Sequence, residues 1–117
     1  ILRYPQMKFV VCHLLAVAAG YEEKLREGLQ ALALPNVWFD LAAVPNNCRP
    51  DPYPFPCATR YLRIAIKSVG IDKIMFGSGS PRIRPVRSKR GLDSLGFSEE
   101  TLEKIYAENA ERFLGRE

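Results

Sequence analysis

Three short apolar runs, beginning near Met7, Val37 and Lys73, start about 30 to 36 residues apart with amphipathic stretches between them. Repeated βα units produce that rhythm, and nothing else in the chain constrains the fold as strongly. The first run, Met7 to Leu15, is β-rich and continuous through Phe9-Val10-Val11-Cys12. The second, Val37 to Val44, carries one acid, Asp40, and the third is Ile74-Met75-Phe76. Unbroken apolar runs suit strands covered on both faces, as in a parallel sheet. The expected class is α/β, with three consecutive βα units in a single domain over residues 1–117.

The connecting stretches read as helices. Between Tyr21 and Leu34, Leu25, Leu29 and Leu32 recur at helical spacing, and Pro35-Asn36 stops the pattern. From Ala58 to Val69, Leu62, Ala65, Ile66 and Val69 share one face, and Gly70 suits the position after a helix end. Ser98 is the expected N-cap of a final helix, with Glu99 and Glu100 in its first turn and its end at Gly115. Prolines at 45, 50, 52, 54 and 56 predict an extended connection after the second strand. Residues 81–91 are expected to form a basic loop with a short helical turn towards Leu95.

Right-handed crossovers would gather the carboxyl ends of the three strands on one side, which is where parallel α/β folds collect their ligands. His13, the end of the Asp40 strand and the turn Gly77-Ser78-Gly79-Ser80 would meet there. The glycines allow either positive backbone angles or a close approach by a ligand or a neighbouring strand. With Arg82 and Arg84 the turn could cradle an anion. It lacks the Lys-Ser/Thr ending of a P-loop, and Pro81 removes one amide donor. A solvated basic loop is the plainer alternative.

Charge is local. Arg82, Arg84, Arg87, Lys89 and Arg90 fall within nine residues, so the net charge of +4 belongs to one segment and the remainder sums to about −1. That argues against a general nucleic-acid-binding surface. No apolar run approaches the roughly 20 residues that span a bilayer, and no membrane role is expected. Three cysteines at spacings of 36 and 9 form neither a disulfide framework nor a zinc pattern. A reducing, cytoplasmic setting is expected. The first residues have no signal-peptide layout and no initial methionine, and three strands alone leave two open sheet edges and one poorly covered face. The expectation is a piece of something larger, completed by self-association or by a missing N-terminal barrel half.

Several residue patterns point to one family. Tyr4-Pro5-x-x-Lys8-Phe9-x-x-x-x-His13-Leu14 resembles the sixth strand of the amidohydrolase-related metal-dependent hydrolases, the group that includes aminocarboxymuconate semialdehyde decarboxylase and related barrel decarboxylases. Asn36-Val37-Trp38-Phe39-Asp40 resembles the seventh strand, and Asp72-Lys73-Ile74-Met75-Phe76-Gly77-Ser78 with Pro81 the eighth. The ending Phe97-Ser98-Glu99-Glu100, Ile105-Tyr106 and Glu108-Asn109-Ala110-Glu111-Arg112-Phe113 resembles the closing helix. The resemblance implies strands six to eight of a (β/α)8 TIM barrel, a partial barrel.

For function, the resemblance implies a metal-dependent hydrolase or decarboxylase acting on a small carboxylated or cyclic substrate. It makes His13 the catalytic residue, an acid/base or charge-stabilising group beside metal-bound water. The complete family enzyme uses a divalent metal, zinc first among candidates. Here the Gly-Ser-Asp-x-Pro pattern of the eighth strand reads Gly77-Ser78-Gly79-Ser80-Pro81, so Gly79 stands where the metal-binding aspartate is expected. A catalytic zinc usually needs three protein ligands, and His13, Asp40 and Asp51 lack the spacing and partners to supply them. No metal or cofactor is therefore expected on this chain alone, which leaves its status as an enzyme open.

Alternatives remain for single residues. His13 could be a partly buried structural histidine, and Asp40 either a polar group at the barrel mouth or a buried acid paired with an Arg or a backbone amide. A Cys12–His13 nucleophile pair is rejected, because neighbours in a strand point to opposite faces. Cys48 and Cys57 read as loop or helix-start thiols. The competing function is a non-enzymatic α/β assembly or anion-binding module using the 77–90 Gly/Arg loop.

Overall fold

A computed structural model describes residues 1–18, 20–42, 44 and 56–116. Three strands, β1 (Phe9–Val11), β2 (Val37–Asp40) and β3 (Ile74–Met75), lie in one sheet in the order β1-β2-β3. Both pairings are parallel, with Phe9 beside Val37, Val11 beside Phe39, and Phe39 beside Ile74. Helix α1 (Glu22–Ala31) joins β1 to β2, and α2 (Pro56–Val69) precedes β3. The three expected βα units are present.

Alternation along the strands puts Phe9, Val11, Val37, Phe39 and Ile74 on one face. These residues share a core with Leu25 and Leu29 of α1 and with Ala58, Leu62 and Ala65 of α2. Phe39, Leu25, Leu29 and Ile74 are completely buried. Leucines four apart meet the sheet as one stripe, which is why this sequence makes α1 amphipathic. Arg60 of α2 pairs with Glu22 of α1 across 3.5 Å, an exposed contact that adds little to this packing.

Two expectations are corrected here. Residues 85–93 are a third helix, α3 (Pro85–Asp93), and not a loop with a single turn. Proline at its first position needs no N–H partner and is preset for helical φ, while Lys89 bonds Asp93 one turn on, at 2.7 Å. Among the described residues the sheet also has one open edge instead of two. The C-terminal helix runs through α4 (Glu99–Glu103), a π-helical turn (Lys104–Glu108) and α5 (Asn109–Leu114), and it covers the outer edge of β3. In the π turn, Asn109 N–H bonds Lys104 O, and the carbonyl of Ile105 accepts from Phe76 N–H at 2.8 Å. The Asn109 side-chain amide donates to Ile71 O and Ile74 O, both at 2.8 Å.

The ends of the final helix follow the sequence. The Ser98 hydroxyl accepts from Thr101 N–H, and Gly115 closes the helix in the left-handed conformation at φ 70°. The proline-rich stretch 45–55, with Cys48 and Asp51, lies outside the described residues.

Candidate functional site

The carboxyl ends of β1, β2 and β3 bring together the segments around His13, Asp40 and Gly77. The first differs from expectation: β1 ends at Val11, so Cys12 and His13 do not continue the strand. The chain instead makes a left-handed turn in which His13, Leu14, Leu15 and Ala16 have φ of 59°, 45°, 67° and 53°. For residues with a Cβ this costs about 1–2 kcal/mol each, so contacts must hold the turn in place. Leu14 is buried in the core at 1% exposure. Leu15 lies over Gly28 of α1, where an added Cβ would come within 2.6 Å of Leu15 Cδ1. Gly28 is the notch that seats the turn.

Asp40 supplies the polar half of this support. Its Oδ1 accepts from His13 N–H at 2.9 Å and from Ala42 N–H at 3.0 Å. The second bond is an Asx-type contact that bends the chain as it leaves β2. Asp40 is half-buried and not the buried acid expected, while its partners are the expected backbone amides. His13 Nδ1 lies 2.9 Å from Ala42 O. A carbonyl can only accept, so Nδ1 carries a proton, and in the neutral imidazole Nε2 is then the acceptor. The His13 side of the turn is exposed, and among the described residues nothing bonds Nε2.

Cys12 also converges on Asp40. Its exposed thiol has a raised pKa, first through its hydrogen bond to the Asp40 carboxylate and then through that group's charge. A protonated thiol is a poor nucleophile, and the His13 imidazole is engaged with Ala42 O. The Cys–His pair is thus set aside, though for a different reason from strand alternation. Cys57 is buried within α2.

The turn after β3 answers the question raised by its glycines. A Cβ on Gly77 would sit 3.0 Å from Ala42 Cβ and 3.1 Å from Ala42 N. Gly77 thus permits the approach of the segment leaving β2, which also holds His13. Gly79 adopts φ 80°, a left-handed angle natural to glycine. Ser80 N–H donates to Ser78 Oγ at 3.2 Å, and Ser88 Oγ donates to Ser78 O at 3.3 Å. These groups satisfy one another.

The opposite end of the sheet is built from aromatic and cationic side chains. Trp38 meets Phe113 edge-on at 5.1 Å, and Lys73 Nζ stands 3.6 Å from the Trp38 ring centroid. Burial, and then the neighbouring Lys8 charge, lower the Lys73 pKa. Near α3, Tyr106 O–H donates to Asp93 Oδ1 at 2.6 Å. Burial raises the Tyr106 pKa, reinforced by that bond.

The family profile described as Amidohydrolase matches residues 1–116. The chain belongs to the amidohydrolase family. No curated protein sequence matches it. Among solved structures, an amidohydrolase from Burkholderia multivorans with bound HEPES is 19% identical, with TM-score 0.81 over 97% of this chain and 46% of that chain. A putative 2-pyrone-4,6-dicarboxylic acid hydrolase from Pseudomonas putida is 18% identical, with TM-score 0.77 over 94% of this chain and 44% of that one. A 5-carboxyvanillate decarboxylase from Sphingomonas paucimobilis is 14% identical, with TM-score 0.62 over 95% and 34%. This amidohydrolase chain therefore spans less than half the length of each structure named here, and the likeness is one of fold.

A second crystal form of the Burkholderia protein contains zinc, with TM-score 0.78 to this chain. The residues described here do not fit such a metal. Among them, no three His, Cys, Asp or Glu side chains are grouped to hold an ion. Gly79 offers no side-chain donor, and Asp40 Oδ1 is directed at two backbone amides. Among the described residues, no helix is long and apolar enough to cross a membrane.

What orients His13 is not legible in the sequence. The Ala42 carbonyl is a main-chain partner with no side-chain signature. Asn109 lies within the Glu108–Phe113 pattern, and its place on the β3 edge depends on the π turn that precedes it.

Proposed function

We propose that this chain is the part of an amidohydrolase barrel that carries strands six, seven and eight, and that it is catalytically incomplete by itself. The observation that carries the reading is the position of His13. Its ring is held through Nδ1 beside the carboxyl ends of parallel strands, and among the described residues nothing bonds Nε2. In a completed barrel, Nε2 would take a proton from, or return one to, a small carboxylated or cyclic substrate undergoing hydrolysis or decarboxylation. The fold neighbours, among them hydrolases and a decarboxylase, support this class of reaction. Zinc, or another divalent ion, belongs to the complete enzyme in this reading. The rest of the site would come from further barrel strands or from self-association through the open β1 edge, in a reducing, cytoplasmic setting.

The test uses the purified 117-residue chain. After incubation with zinc and desalting, elemental analysis is expected to find well under one ion per chain. Lactone, amide and aromatic carboxylate substrates are expected to remain unconverted. A stoichiometric ion together with turnover of any of these would overturn the reading.

A further inference from the structure

We propose that Asp40 is the positioning residue for His13, holding the left-handed turn that keeps the imidazole with Nδ1–H on the Ala42 carbonyl. The inference deepens the role proposed for His13 and rests on that reading for its functional meaning. Four consecutive residues with a Cβ occupy positive φ here, a conformation that persists only where the surroundings over-determine it. Leu14 and Leu15 supply an apolar seat in the core and over Gly28, but an apolar seat has no means of choosing a ring tautomer. The selection comes through Asp40. One oxygen, Oδ1, holds both sides of the contact, because it accepts from His13 N–H at 2.9 Å and from Ala42 N–H at 3.0 Å. Bonding the Ala42 amide orients the stretch whose carbonyl receives His13 Nδ1 at 2.9 Å. An ionised carboxylate forms stronger bonds with amides than a neutral acceptor does. Oδ1 is thus engaged by the backbone, and its effect on the ring is transmitted through the His13 and Ala42 main chain.

The experiment reads the ring and the backbone by 15N NMR on the intact chain, without any activity assay. Wild-type protein should show His13 as the Nδ1–H tautomer. Its amide should be protected from exchange despite its exposed position, and the Ala42 amide should be protected as well. Asp40→Asn keeps an oxygen that can accept from both amides and should retain the tautomer. Asp40→Ala should lose protection at His13 and Ala42 and give a mixture of tautomers, while the Phe39 and Ile74 amides remain protected. A folded Asp40→Ala protein that keeps the Nδ1–H tautomer would overturn the proposal, as would loss of the tautomer in Asp40→Asn. If Asp40→Ala does not fold, the wild-type measurement decides, because exchange of the His13 amide at the free-peptide rate contradicts the bond to Asp40. A catalytic failure of His13 in a completed barrel would overturn the functional reading and leave these spectroscopic results standing.

Discussion

Along the outer edge of β3, Phe76 N–H and the Ile74 carbonyl are met by the C-terminal helix through Ile105 O and the Asn109 amide. Along β1 the arrangement is the reverse. Phe9 N–H points inward to Asn36 O, so alternation turns the backbone groups of Val10 outward. No further strand lies beyond β1 among the described residues. Ile1, Leu2, Tyr4, Met7 and Val10 are exposed in the same N-terminal stretch. One border is finished by the chain's own helix, while the other retains the apolar surface and pairing groups of an edge strand.

Removing the closure should have the largest effect. Asn109→Leu leaves the Ile71 and Ile74 carbonyls without the side-chain amide at a fully buried position. A loss of about 2–4 kcal/mol is expected from urea unfolding, and a loss below about 0.5 kcal/mol would mean that the β3 edge is sealed by other contacts. Gly77→Ala follows. Its Cβ would press on the Ala42 backbone at 3.1 Å, with an expected cost of about 1–3 kcal/mol. Heteronuclear NMR should place the largest shifts at Ala42 and His13, and shifts confined to residues 76–79 would contradict the close approach.

Smaller effects sharpen the contrast. Asp72 binds Lys104 at 3.1 Å and Arg112 at 3.3 Å, linking the start of β3 to the closing helix. Its carboxyl pKa is lowered, first by the Lys104 hydrogen bond. The folded state therefore favours the ionised form, and this contribution is present at neutral pH. It is lost as pH falls through the lowered folded-state pKa, where the group becomes protonated in both states. The carboxylate is more than half exposed, so Asp72→Asn should cost no more than about 1 kcal/mol, less at high salt. The difference from wild type should vanish in acid, and one that persists there would point to packing. Val10→Lys at the open edge should change monomer stability by less than about 0.5 kcal/mol and weaken any self-association seen by sedimentation. A cost of several kcal/mol would show that the β1 edge is already covered.

Local chemistry made much of this fold legible. The periodic leucines of α1, the Ser98 cap and the Gly115 stop each act within a turn or two of their own position, and their consequences follow from neighbouring residues. The basic segment was harder to read because five cations drew attention to its charge. Pro85 at the start of α3 and the Lys89–Asp93 spacing are local helix signals that were present in it. The site was less legible. The β-rich run through Cys12 gives no sign of where β1 ends, because the left-handed turn is imposed by contacts remote in sequence. Those contacts are Asp40, 27 residues from His13, Ala42, 29 residues away, and Gly28 on α1.

Composition and periodicity by themselves determined that this chain is α/β, built from three βα units, with His13, Asp40 and the glycine turn at strand ends. Strand propensity and helix amphipathicity are properties of short segments, and they survive in whatever fold contains them. Tertiary structure alone decided that the Asp40 carboxylate faces the His13 backbone and that the Ala42 carbonyl receives the ring. It also decided that Asn109 closes one edge while the edge at Val10 stays open. Each of these depends on groups far apart in sequence competing for the same hydrogen-bond partners, and only the assembled sheet determines which of them meet.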